Sequence, residues 1–139
     1  MTALPAQDMG PAANAFRNKA RDSLARHWTP EKRAEHLRKP FKDRGWDKEF
    51  SKLMGRDGWI GVGWPKEFGG QGRSATEQIA FITELANSGA PAHAHSTSES
   101  IVAQALFLHG TKSQQDEWLS AIRSGECFFA LGYSEPEAG

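Results

Sequence analysis

Three short stretches fix where this chain turns helical. "TPEK" at 29–32 sets Thr29 as an N-cap ahead of a proline at the first helical position. "SATE" at 74–77 and "TKSQ" at 111–114 are capping boxes, pairing Ser74 with Glu77 and Thr111 with Gln114. Gly89, Gly110 and Gly125 each follow a helical run, where left-handed C-cap positions are expected. Between these signals the spacing predicts helices over 74–88, 96–109 and 111–124, and further upstream over 13–27, 30–38 and 47–56.

The apolar pattern assigns each helix a face. In 74–88 the stripe reads Ile79, Ile82, Leu85 and Ala86, with Phe81 off it. In 96–109 the second half is apolar almost all round, from Ile101 to Leu108, which predicts burial on most sides. In 111–124, Trp118, Leu119 and Ile122 share a face. Residues 126–133, around "CFFAL", read as the one strand. The fold class is therefore all-α: a bundle of about six helices with a Gly/Trp-rich loop, then one strand that begins something else.

The loop is "GRDGWIGVGWPKEFGGQG", residues 55–72, with seven glycines, two tryptophans and a proline. It lacks the Lys-Ser/Thr of a P-loop, and no strand precedes it as a dinucleotide fingerprint requires. Trp59 and Trp64 are expected to anchor it by packing.

His93 and His95 are two imidazoles with Glu99 four residues on, short of the ligand set and spacing of a metal site. His109 suits the C-terminal end of its helix dipole. Cys127, the only cysteine, allows no internal disulfide and reads as a small core residue. Glu135 and Glu137 flank Pro136 in a turn that is expected to be solvated. No catalytic set follows from spacing.

Charge is balanced overall, 17 basic against 17 acidic. Residues 17–44 nevertheless hold ten Lys/Arg and four Asp/Glu, a local excess of six. A basic helical segment of this kind fits a solvated face, or an anionic partner of a non-catalytic helical interaction module. Residues 1–13 are Ala/Pro/Gly-rich and are expected to be disordered. They lack the basic and apolar regions of a signal peptide, no apolar run spans a membrane, and the expected compartment is the cytoplasm.

"GYSEPEAG" at 132–139 resembles the flavin-binding motif of the acyl-CoA dehydrogenase family, which continues with Ser or Thr and then Asp. "GRDGWIGVGWPKEFGGQGRSATEQ", "ELANSGAP" and "HGTKSQQDEWLSAIRSGE" resemble the family's earlier landmarks, in order and at matching separations. The resemblance implies an N-terminal helical domain over 14–125 and the opening strand and flavin turn of a middle β-domain over 126–139. It implies an FAD-dependent enzyme that removes the α-proton of an acyl-CoA thioester with a carboxylate base and passes the β-hydride to flavin N5. The base has no counterpart here, so the chain is expected to be an inactive fragment by itself. The cofactor-binding positions so implied are Leu131, Gly132, Tyr133, Ser134, Glu135, Pro136, Glu137, Ala138 and Gly139. Residues 92–102 would line the acyl pocket, although "AHAHSTSESIV" is polar for a fatty-acyl tunnel. Implied partners are the acyl-CoA substrate, an electron-transfer flavoprotein or similar acceptor, and a homo- or heterotetramer. "TPEKR", "MGRDGW" and "GWPKEFGGQGRSA" look most like bacterial dehydrogenases of bulky esters such as steroid side chains, which commonly pair two different subunits.

Overall fold

A computed structural model describes residues 8–91, 93–133 and 136–137. Six helices follow in order: α1 (Pro11–His27), α2 (Pro30–Arg38), α3 (Lys48–Arg56), α4 (Ala75–Ser88), α5 (residues 93–109) and α6 (residues 112–123). The caps are those the sequence announces. Thr29 Oγ1 accepts the Lys32 amide at 3.3 Å. Asp47 accepts the Phe50 amide at 3.0 Å. Both capping boxes close, with Ser74 and Thr111 amides donating to Glu77 and Gln114 at 3.0 and 2.9 Å. These bonds satisfy amides that the first helical turn leaves without a partner.

α1 packs along α4. Phe16, Ala20 and Leu24 from α1 meet Trp59 and Phe81 in one core, which extends through Phe50 and Met54 of α3 to Leu119 and Ile122 of α6. Trp59 stacks on Phe81 with ring centroids 5.2 Å apart and tilts against Phe16 at 5.3 Å. Arg21 clamps the α1–α4 seam, donating from Nε and Nη2 to both Glu84 carboxylate oxygens at 3.0 and 2.8 Å.

The Gly/Trp loop is a packed unit, as expected. Trp59, Ile60, Val62 and Trp64 are all buried. The Trp59 indole donates to Ser23 at 2.8 Å. Backbone bonds from Gly72 to the Trp64 carbonyl and from Arg73 to the Val62 carbonyl fold the loop on itself.

Four expectations need correction. The buried stripe of α4 is Ala80 and Phe81, whereas Ile79 and Ile82 are more than half exposed. α4 carries apolar residues on two faces, and the face opposite α1 and Trp59 enters the core. α5 is not buried on most sides: Leu108 is 74 % exposed and Ile101 is open, while Ala103 is fully enclosed. Gly89 and Gly125 have φ of 67° and 75°, but Gly110 has φ −69° and ψ 140°, an extended residue. Its side would collide with the Leu106 carbonyl if it carried a Cβ, so space and not handedness selects glycine there.

The fourth correction concerns residues 126–133, which form no strand among the described residues. A strand exists through a ladder with a neighbour, and this segment's amides go elsewhere. Cys127 N–H bonds the Ala121 carbonyl at 3.4 Å, and Phe129 N–H bonds Ser98 Oγ at 2.7 Å. Phe128 and Phe129 rest on Trp46 and Trp118, with centroids 5.0 and 5.5 Å apart.

Candidate functional site

A groove of about 720 Å³ opens between α4, α5 and the Gly/Trp loop. Its α4 wall is Phe81, Ile82 and Leu85, its floor includes Val62 and Trp64, and its α5 wall presents Ser96, Glu99, Ser100 and Gln104. This size suits a substantial organic ligand. Of the 92–102 stretch expected to line an acyl pocket, Ser96, Glu99 and Ser100 line this groove.

Glu99 is the residue that the sequence left without a role. The α5 backbone widens into a π turn over Ser98–Val102, a local rearrangement that re-aims side chains. Glu99 Oε2 accepts the Gly61 amide at 2.7 Å, and its backbone carbonyl accepts the Trp64 indole N–H at 3.2 Å. Gly61 sits at φ 73°, where glycine is favoured. Burial pushes the Glu99 carboxyl up to about 7, with the Gly61 amide pulling the other way. Among the described residues lining the groove it is the sole ionisable group. One signal for it was present in the sequence: the apolar and hydroxyl-rich run from 96 to 108 holds a single acid and no Lys or Arg.

His95 belongs to a buried polar chain and joins no metal cluster. Trp46 Nε1 donates to Ser51 Oγ at 2.7 Å, and Ser51 and His95 Nε2 lie 2.7 Å apart. Among the described residues, no three His, Cys, Asp or Glu side chains gather as ligands. His109 closes the last turn of α5. Cys127 packs against the core, and burial raises its thiol pKa, with Glu126 adding to the rise. Much of the basic 17–44 segment is used internally. Arg17 is buried, Arg21 holds Glu84, Lys39 pairs with Asp47 at 3.1 Å, and Arg44 donates to the Lys39 carbonyl at 2.7 Å.

Of the positions implied for a flavin, Leu131, Gly132 and Tyr133 lie outside any helix or strand and are exposed, and Pro136 and Glu137 form part of an exposed turn. No atom lies within 4 Å of where a Gly132 side chain would begin. Ser134, Glu135, Ala138 and Gly139 lie outside the described residues. The segment is tied to the groove through α5, because Phe129 bonds Ser98, the residue before Glu99.

No helix of the described residues is long and apolar enough to cross a membrane. The chain is similar to the acyl-CoA dehydrogenase FadE26 of Mycobacterium tuberculosis (strain ATCC 25618 / H37Rv), at 39% identity over 132 residues, 93% of this chain and 32% of that protein. Its fold matches the ChsE4-ChsE5 complex from Mycobacterium tuberculosis with a TM-score of 0.80 at 38% identity, covering 98% of this chain and 33% of the matched one. It also matches the Tcur3481-Tcur3483 steroid ACAD with a TM-score of 0.79 at 34% identity, covering 96% and 34%. The chain thus spans about a third of the length of these relatives. The family model for the acyl-CoA dehydrogenase N-terminal domain matches residues 10–126, and the chain belongs to the acyl-CoA dehydrogenase family.

Proposed function

We propose that this chain supplies the helical portion of an FAD-dependent acyl-CoA dehydrogenase, which introduces a double bond between the α and β carbons of an acyl-CoA thioester. The observation that carries this reading is the groove walled by α4 and α5, with residues 126–133 tethered to the back of α5. Substrate binding is assigned to the groove: the acyl group lies on Phe81, Ile82 and Leu85, and their apolar surface excludes water.

The flavin is assigned to Leu131 through Gly139. Exposed backbone at 131–133, outside any helix or strand, offers amides and carbonyls, and the empty space at Gly132 leaves room for a flat ring. These features fit the group. When bound, FAD supplies the hydride acceptor for the β-carbon. The carboxylate base for the α-proton is assigned to a C-terminal part of the protein beyond these residues.

In this reading, residues 14–125 are the helical domain, with α1 already under way from Pro11, and 126–139 open a β-domain. The enzyme works in the cytoplasm as a tetramer and hands its electrons to an electron-transfer flavoprotein or similar acceptor. The paired names of the two structural relatives favour a tetramer of two unlike subunits.

The test is to produce the whole protein encoded by the gene, alone and together with a co-encoded family member. Bound flavin is measured by absorbance, and acyl-CoA-dependent reduction of ferrocenium is followed. Flavin-loaded protein that reduces ferrocenium only with a CoA ester supports the reading. Protein that takes up flavin in neither form, or turns over no CoA ester, overturns it.

A further inference from the structure

The two long walls of the groove differ in chemistry. The α4 wall is hydrocarbon, while the α5 wall carries hydroxyls, an amide and one carboxyl. A plain hydrocarbon chain filling this space would dry the Glu99 carboxyl without offering it a partner, which is costly. A broad apolar skeleton bearing an oxygen satisfies both walls at once.

We propose that Glu99 determines specificity in this enzyme, donating a hydrogen bond to a ketone or hydroxyl oxygen on the acyl group, so that the substrates are CoA esters of bulky, oxygenated acids. The inference rests on the reading under Proposed function and narrows its substrate class. Three observations support it. The Gly61 amide occupies Oε2, so a proton on the carboxyl resides on Oε1, the oxygen left for a ligand. The Trp64 indole pins the Glu99 backbone, so the side chain is presented from a fixed base. Burial brings the carboxyl to about 7, so the protonated donor form is well populated at neutral pH. His95, four residues before it, faces Ser51 and not the groove. No other titratable side chain lines the groove among the described residues.

The experiment uses the full-length, flavin-loaded enzyme with any partner subunit it requires. Two esters of matched shape are compared, cyclohexylpropanoyl-CoA and its oxocyclohexyl counterpart, across pH. One donated hydrogen bond should favour the ketone by about tenfold in kcat/KM below neutrality. That preference should shrink as pH rises through about 7. Glu99→Leu should abolish it. Glu99→Gln, whose amide donates at every pH and still accepts from Gly61, should keep it and flatten its pH profile. Equal kcat/KM for the two esters at all pH values overturns the inference and leaves the dehydrogenase reading intact. So does a Glu99→Leu enzyme that retains the preference. If Glu99→Leu does not fold, the Glu99→Gln profile decides: a preference that still falls through pH 7 overturns the assignment. Turnover of neither ester by the wild-type enzyme overturns the dehydrogenase reading, and this inference with it.

Discussion

Ser51 and His95, 44 positions apart, meet through a buried 2.7 Å hydrogen bond that joins α3 to α5. The Trp46 indole is a donor only, so Ser51 Oγ accepts from it and keeps a proton and a second lone pair for its bond with His95 Nε2.

Burial lowers the His95 pKa below the ordinary 6.5. Between the ordinary and the lowered value the unfolded chain binds the proton more readily than the folded one. The His95 contribution to stability is therefore complete above about 6.5 and is lost as pH falls below it. Ser51→Ala should cost about 2 kcal/mol by leaving the buried His95 Nε2 and the half-buried Trp46 Nε1 without this partner. Urea melts of wild type, Ser51→Ala and His95→Gln across mildly acidic pH test both points. An unchanged pH slope in His95→Gln would refute the assignment.

Glu99 has the opposite sign. Its folded pKa is raised from 4.5 to about 7, so the folded state holds the proton more tightly across that window. The wild type should lose stability from this group as pH climbs through the window. Glu99→Gln should match wild type near the acidic end and exceed it above pH 7, by up to about 3 kcal/mol. Thermal melts at both ends of the window read the difference directly, and equal melting temperatures at alkaline pH would contradict it.

Glycine at 55 is set by contact and not by backbone angle. A Cβ on Gly55 would enter the Ser124 carbonyl of the next helix layer, and one on Gly125 would enter that of Ser51. Gly55→Ala should destabilise by about 3 kcal/mol. Gly45, with nothing within 4 Å, provides the control. Gly45→Ala should be neutral or stabilising by up to about 1 kcal/mol, through the unfolded chain. Comparable denaturation midpoints for the two variants would remove the close-approach argument.

Arg21 is half exposed at the α1–α4 seam, whereas the Glu84 side chain is only 10% exposed. Arg21→Ala strands that carboxylate and should cost about 2 kcal/mol. Arg21→Lys should recover only part of the loss, because a single ammonium cannot reproduce the paired N–H geometry. Full recovery with lysine, measured by chemical denaturation, would show that charge alone matters.

Under the proposed reading the flavin site draws on parts of the protein beyond 131–139, so the isolated 139 residues are expected to bind FAD weakly or not at all. Fluorescence titration should show no saturation at micromolar FAD. Saturation in that range would mean that the segment is a complete site.

The helical boundaries were legible because caps are local: Thr29, Ser74 and Thr111 announce themselves within four residues. Orientation was not. Ile79 and Ile82 make as good a stripe as Phe81, and the choice between them is made by Trp59, which lies on a loop remote from α4 in sequence. The 126–133 segment read as a strand from its composition, but a ladder partner is not a property of a single segment. The groove was half legible. The polarity of 92–102 was visible, yet the importance of Glu99 depends on Gly61, reached only when the loop folds back onto α5. For 131–139 the sequence motif remains the main guide.

Ser98 and Glu99 are consecutive, yet one holds the amide of Phe129 and the other lines the groove. The offset between the groove and the outgoing segment is thus set by a single step along the π turn of α5. α5 works as a ruler. Wall residues such as Ser100 and Gln104 can be exchanged for different cargo without changing the length of that ruler, whereas an insertion or deletion near its zero mark would throw both ends out of register.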